Sequence, residues 1–248
     1  MTVVLKNVSY SYTNEKRQKN LVISHLNMEI KNGEFISIIG RSGTGKSTIL
    51  RLMTGLLQPD EGDIQIDQKD ISLGDVGYMP QKDLLLPWRT ILDNIMIASE
   101  IQQDVHITKE EAGVWLQRVG LSGYEHVLPK QLSGGMRQRA AFLRTLLTGK
   151  NVLLLDEPFG ALDALTKKEM QSWLLSMWQD LNKTIVFITH DLEEAIFLSD
   201  RILLLHPDHR IEEISVPLSR PRKPEMLLSE EAVTLRQKLE KKIANETT

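Results

Sequence analysis

Short apolar runs alternate with segments of helical spacing along most of this chain. That pattern predicts an α/β domain whose sheet is largely parallel. Residues 35–39 read as a strand feeding a glycine loop, and residues 47–57 as the helix that follows. Residues 152–155, 184–188 and 201–205 are rich enough in Val, Ile and Leu to be buried strands, and 76–80 reads as another. Residues 3–8, 21–30 and 64–66 alternate instead and lie between turn residues such as Asn32-Gly33 and Glu61-Gly62-Asp63. These predict an antiparallel layer at the edge of the domain.

From residue 86 to about residue 150 the character changes. Segments 90–101, 109–119 and 134–147 carry helical spacing, punctuated by Pro87 and Pro129, and predict a helical subdomain inserted into the sheet domain. The expected organisation is one domain: a core of residues 1–86 and 151–216, a helical insertion at 87–150, and an extension at 217–248 containing a charged helix over 229–244. Met170, Trp173, Leu174, Met177, Trp178 and Leu181 form a helical stripe suited to the core. Lys238, Lys241 and Lys242 read as a solvated helix face. His206 and His209, flanking Pro207-Asp208, read as a turn rather than a metal pair.

Composition narrows the classes. Among 248 residues the net charge is −3, so no global basic field invites nucleic acid. The absence of cysteine removes disulfides and thiolate chemistry and fits a reducing compartment. Residues 1–12 lack the charged start and long apolar run of a signal peptide. The apolar runs are far shorter than the roughly 20 residues that cross a bilayer, so a membrane role would be peripheral.

Three stretches carry candidate chemistry. The first is Gly40-Arg41-Ser42-Gly43-Thr44-Gly45-Lys46-Ser47-Thr48, between a strand and a helix. Glycines let successive N–H groups turn inward around an anion, and the helix start adds partial positive charge. Lys46 can reach the terminal phosphates of a nucleotide, and the Ser47 hydroxyl suits Mg²⁺. A plain glycine turn with a surface lysine is the alternative, disfavoured by the strand-loop-helix context. The second is Asp156-Glu157-Pro158, at the carboxyl end of a buried strand, where α/β sheets bind ligands. Asp156 would hold Mg²⁺ through water, and Glu157 would polarise an attacking water as a general base. The third is Leu132-Ser133-Gly134-Gly135-Met136-Arg137-Gln138-Arg139, which in isolation is a helix cap.

Together, in this order and spacing, the stretches resemble the ATPase subunit of an ABC transporter over nearly all of residues 1–216. The resemblance implies a P-loop NTPase core acting on ATP with Mg²⁺. It implies that Ser133, Gly134 and Gly135 meet the γ-phosphate of ATP held by Lys46 of a second ATPase subunit, so the working unit is a dimer. It further implies that Gln81 senses Mg²⁺ and the attacking water, that His190 contacts the γ-phosphate, and that Asp163 crosses the dimer interface. Tyr12 resembles the aromatic that stacks on adenine, with Tyr10 as competitor. Leu84-Leu85-Leu86-Pro87-Trp88-Arg89 falls where the family receives a helix of the transmembrane permease; burial of the leucines inside the insertion is the alternative.

Finer marks are Met136, where many members have glutamine, the Leu-Pro-Trp-Arg-Thr run, and Asp191 to Ala195 with Phe197-Leu198-Ser199-Asp200. They resemble the nitrate, taurine and aliphatic-sulfonate type of bacterial importer, and thiamine-precursor importers share them. Leu143-Arg144-Thr145 departs from the usual Ala-Arg-Ala. The resemblance implies a peripheral location on the cytoplasmic side of the membrane, an extracytoplasmic substrate-binding protein as a further partner, and no nucleic acid. Two other readings are a soluble cassette in DNA repair or translation, which would carry coiled-coil arms or tandem cassettes, and a non-hydrolysing regulatory cassette, which the presence of Lys46, Asp156, Glu157 and His190 disfavours.

Overall fold

The computed structural model describes residues 1–102 and 106–245. The long N-terminal runs form β1 (Val3–Thr13) and β2 (Lys19–Ile30), paired antiparallel. β3 (Phe35–Gly40) leads through the glycine loop into α1 (Lys46–Met53). β4 (Glu61–Ile66) returns to pair with β1, and β5 (Lys69–Asp70) completes an antiparallel sheet of order β2-β1-β4-β5.

After β6 (Gly77–Met79) come three helices in succession: α2 (Ile91–Ile101), α3 (Lys109–Arg118) and α4 (Gly134–Leu146). Each begins on a hydroxyl cap. Thr90, Thr108 and Ser133 accept from backbone N–H groups of the first turn, and Thr108 with Glu111 forms a reciprocal capping box. Strands and helices then alternate through β7 (Val152–Asp156), α5 (Ala164–Leu181), β8 (Thr184–Ile188), α6 (Leu192–Leu198) and β9 (Arg201–Leu205). β10 (Ile211–Ser215) and α7 (Glu230–Asn245) finish the chain. The second sheet runs β10-β9-β3-β8-β7-β6, parallel except for β10.

The pleat of this sheet sorts its side chains between layers. Ile36, Ile38, Leu154 and Val186 pack with Ile49, Leu50 and Leu52 of α1 and with Val3, Leu5 and Ile23 of the antiparallel sheet, so α1 lies in a core between the two sheets. Phe35, Leu153, Leu155 and Phe187 face the other way, against Phe142 of α4 and Leu174 of α5. Ile39, Ile202 and Leu204 pack on Ala195 and Ile196 of α6 and on Leu235 and Leu239 of α7. A parallel sheet covered on both faces needs such continuous apolar strands.

The structure departs from the sequence pattern in several places. α1 stops at Met53, short of residue 57, because the Thr54 hydroxyl donates to Arg51 O and accepts from Leu56 N, closing the helix in a turn. Leu181 is exposed rather than part of the core stripe, and Trp173 and Trp178 are only partly buried. Lys242 is not simply solvated: it pairs with Glu212 at 2.9 Å, tying α7 to β10. Among the described residues no helix is long and apolar enough to cross a membrane.

Candidate active site

The glycine loop owes its shape to close packing at both ends. Gly40 has φ 152, and a Cβ there would stand 2.5 Å from Leu205 O. Gly45, the N-cap of α1 at φ 101, would drive a Cβ to 2.9 Å from Val22 and Ile23 side chains of β2. Neither position admits a side chain, so the loop backbone keeps a tight concave turn, closed by Thr44 N–H donating to Arg41 O at 3.4 Å. Lys46 folds its ammonium over the loop and donates to Gly40 O at 2.9 Å and Arg41 O at 2.7 Å. Burial holds that ammonium below its usual range, while Glu157 and Asp156 partly restore it.

One cleft brings together Tyr12, Gly40, Ser42, Gly43, Gly45, Lys46, Ser47, Thr48, Gln81, Glu157 and His190, with Val22 and Ile188 as apolar walls. Gly40, Gln81, Glu157 and His190 end or follow the parallel strands β3, β6, β7 and β8, so that sheet delivers them to one edge, while Tyr12 and Val22 come from the antiparallel sheet. Asp156 lies beneath this cleft, buried, with its carboxylate accepting from the Ser47 hydroxyl. Burial raises its carboxyl above the ordinary value, the Ser47 bond opposes that, and Glu157 adds to it.

Glu157 adopts φ 50, a left-handed conformation that a residue with a side chain takes only when its neighbours enforce it. Its N–H donates to Ile188 O at 3.0 Å. The carboxylate then reaches the cleft, where Gln81 Nε2 donates to Oε2 at 3.1 Å and His190 Nδ1 stands 3.5 Å from Oε1. His190 is 69% exposed on its side chain, open to a ligand. Behind it, Asp191 caps α6 and pairs with Lys167 of α5 at 2.8 Å, while buried Glu194 pairs with Lys167 and accepts from Gln171 and Thr189. This network fixes the loop that carries His190.

Tyr12 meets the cleft with its hydroxyl 3.4 Å from Thr48 Oγ1 and its ring edge-on to Tyr10, centroids 5.0 Å apart. Tyr10 does not line the cleft. Thr44 turns its hydroxyl back to Arg41 O at 3.0 Å, so Thr44 and Arg41 shape the loop without walling the cleft. Ser133, Gly134, Gly135 and Asp163 stand apart from the cleft. Ser133 caps α4 and is exposed; Asp163 caps α5, accepting from Leu165 N and Thr166 N, and these bonds, the Thr166 side chain first, hold its carboxyl below the ordinary range.

The segment after Gln81 splits its leucines: Leu85 is buried, Leu86 half-buried, and Leu84 exposed beside Trp88, which is 73% exposed. Leu84 is held at φ 44 by Arg144, whose guanidinium donates to Leu84 O and Asp83 O. Buried Asn94 bonds Leu86, Arg89 and Thr90 from below. Sequence reasoning missed Asn94 and Arg144 in this role. It also missed Gln138, whose side-chain amide joins α4 to the backbone of Glu157 and Ala161. Val22 and Ile188 carried no signal beyond their apolarity.

A glycine cradle on the helix N-terminus after a central parallel strand, with a lysine, a hydroxyl and a strand-end acid pair around it, defines a phosphate-loop nucleotide-binding protein. The chain belongs to the ABC transporter family, as an ATP-binding cassette ATPase: the family model for "ABC transporter" matches residues 23–160. It is 45% identical over 226 residues to the formylaminopyrimidine import ATP-binding protein ThiZ of Halalkalibacterium halodurans, covering 90% of this chain and 88% of that protein. It is 39% identical over 231 residues to the aliphatic sulfonates import ATP-binding protein SsuB of Bacillus cereus, covering 91% of each. Its fold matches the dimeric ATP-binding cassette MJ0796 in a post-hydrolysis state with ADP and Pi, at TM-score 0.79 and 30% identity, over 88% of this chain and 100% of that one.

Proposed function

We propose that this chain is the ATP-hydrolysing subunit of an importer for a small solute, working as a dimer on the cytoplasmic face of a membrane permease. An extracytoplasmic binding protein would deliver the solute. The observation that carries the reading is the single cleft where Lys46, Ser47, Gln81, Glu157 and His190 converge. The nucleotide-binding core is read as residues 1–86 and 151–216, the signature subdomain as 87–150 and the extension as 217–248.

In this reading Lys46 and the loop N–H groups bind the terminal phosphates of ATP, and Tyr12 stacks on its base. The donor set fits Mg²⁺: the Ser47 hydroxyl and the Asp156 carboxylate are hard oxygens bonded to each other beside the glycine loop. Bound there, Mg²⁺ would neutralise phosphate charge. Glu157 accepts a proton from the attacking water, and Gln81 and His190 orient its two carboxylate oxygens. Ser133, Gly134 and Gly135, outside the cleft of their own chain, meet the ATP of the partner subunit, and Asp163 lies at that interface. Binding then closes the dimer, and hydrolysis opens it.

The cargo is of the nitrate, taurine or sulfonate kind, or a thiamine-precursor pyrimidine. The higher identity to the formylaminopyrimidine protein than to the sulfonate protein favours the pyrimidine. The test is Glu157→Gln in a chain copurified with its permease. It binds ATP, dimerises, and hydrolyses at least about a hundredfold more slowly; turnover at the wild-type rate refutes the assignment. Uptake of labelled formylaminopyrimidine against a sulfonate by the reconstituted complex decides the cargo.

A further inference from the structure

Gln138 sits on the buried face of α4, within two turns of the cap Ser133. Both ends of its amide are used. Nε2 donates to Glu157 O at 3.0 Å, and Oε1 accepts from Ala161 N at 2.7 Å. Both partners are backbone, so α4 grips the chain path of the turn itself rather than a side chain that could swing away. The turn is one that needs holding. Glu157 is left-handed, which costs on the order of 1 kcal/mol or more, and its carbonyl accepts a second bond from Gly160 N at 3.2 Å.

Two packing contacts join α4 to this turn. Phe142 of α4 lies against Phe159, ring centroids 6.3 Å apart. At the other end of the helix, a Cβ on Gly135 would stand 3.1 Å from the Leu162 side chain and 3.4 Å from Ala161 O, so the signature glycine is in close approach to the same turn. Between these apolar contacts, Gln138 supplies the directional bonds. Apolar contact tolerates sliding; a bidentate amide clamp at hydrogen-bond distance does not.

We propose that Gln138 is a positioning residue that couples the signature end of α4 to the general base of the same chain. This rests on the functional reading above, in which Ser133 and Gly135 meet the partner's ATP while Glu157 acts on the chain's own. A shift of the α4 N-terminus on meeting that nucleotide reaches the backbone of Glu157 through one side-chain amide. It reaches the Asp163 cap through Ala161, two residues away. Each base is then set for hydrolysis by nucleotide occupancy at the other site of the dimer.

Two variants test this in the full-length chain. Gln138→Met keeps length and burial and removes both bonds. Gln138→Glu keeps the acceptor for Ala161 N; when ionised it cannot donate to Glu157 O, and when protonated it carries both a donor and an acceptor, as the amide does. Binding is read with a fluorescent ATP analogue, and dimerisation by ATP-dependent size exclusion in a Glu157→Gln background. Gln138→Met is expected to bind and to dimerise within about twofold of its parent, while kcat falls about tenfold or more. For Gln138→Glu, the ratio of its kcat to that of the wild type rises as pH falls from about 8.5 to about 6, because burial raises the carboxyl pKa into that range. A packing role alone would make kcat follow the melting temperature across that pH range, whereas the coupling predicts the kcat ratio to rise at an assay temperature where both proteins stay fully folded and dimeric. A kcat within about twofold of wild type, a loss of kcat matched by loss of the dimer, or a flat pH ratio overturns the proposal. If Gln138→Met does not fold, the pH ratio of Gln138→Glu decides. Glu157→Gln alone is the control: wild-type turnover there defeats the underlying reading, whereas an inactive Glu157→Gln beside a normal Gln138→Met defeats only the coupling.

Discussion

The side-chain amide of Gln81 donates to Oε2 of Glu157 at 3.1 Å, joining the end of β6 to the end of β7 across the mouth of the cleft. The carboxylate is thereby held from one side, with His190 at its other oxygen. Gln81→Ala leaves Glu157 in place but free to rotate. Its kcat is expected to fall about tenfold to a hundredfold while the ATP dissociation constant changes less than about threefold, as measured by steady-state hydrolysis and nucleotide titration. An equal loss in both would assign Gln81 to binding rather than orientation.

Asp156 sets stability against function. Its carboxyl is raised above the ordinary 3.8 chiefly by burial, so the folded chain holds that proton more tightly than the unfolded chain. The sign follows: this group's contribution to stability is most favourable at low pH and declines as pH rises from 3.8 through the folded pKa. Asp156→Asn removes the buried charge. It is expected to raise stability at neutral pH by about 1 kcal/mol, with the gain vanishing in acid, and to cut Mg-ATP turnover by at least about a hundredfold. Thermal melts across pH and an ATPase assay check both halves.

Tyr12 and Tyr10 sit edge to face, but only Tyr12 lines the cleft. Tyr12→Ala is expected to weaken ATP binding about tenfold, and Tyr12→Phe, which keeps the ring, less than about threefold. Tyr10→Ala should leave nucleotide affinity within about twofold. The reverse ranking in a fluorescence titration would transfer the adenine contact to Tyr10.

Leu84 and Trp88 each expose an apolar side chain on a segment clamped by Arg144 and Asn94. Trp88→Ala is expected to cost about 2 kcal/mol of permease affinity, a loss of more than tenfold, visible as reduced copurification and reduced transport. Arg144→Met should reproduce that loss without altering either side chain, because the strained Leu84 backbone is then released. Undiminished copurification in both variants would place the permease contact elsewhere.

Arg222 is buried and donates to Ile196 O, Phe197 O and Ser199 O at the end of α6, with burial lowering its pKa to about 10. Arg222→Met strands those carbonyls. A loss of about 2–4 kcal/mol in denaturant unfolding is expected.

Much of the framework was legible because its physics is periodic. β3, β7, β8 and β9 are buried on both faces, so each is a nearly continuous apolar run. β10 was not legible: Ile211-Glu212-Glu213-Ile214-Ser215 is an edge strand with two consecutive glutamates, and two of its five positions, Glu213 and Ser215, are exposed. α6 went unmarked because its start, Thr189-His190-Asp191, reads as chemistry and hides its cap. The convergence of Lys46, Gln81, Glu157 and His190 was legible from strand ends, since the parallel sheet delivers them to one edge. Gln138 was not. Both its partners are backbone atoms, which carry no residue identity, so nothing in the letters distinguishes its amide from that of a surface glutamine.

The cleft takes Tyr12 and Val22 from the antiparallel sheet and Gly40, Glu157 and Ile188 from the parallel one, with Gly45 wedged against β2. A nucleotide seated there is a further cross-brace between two layers already joined by α1, by shared apolar side chains and by Arg201 of β9 donating to Glu29 O of β2. Seating a nucleotide therefore ties the two layers together at the cleft as well as filling the site.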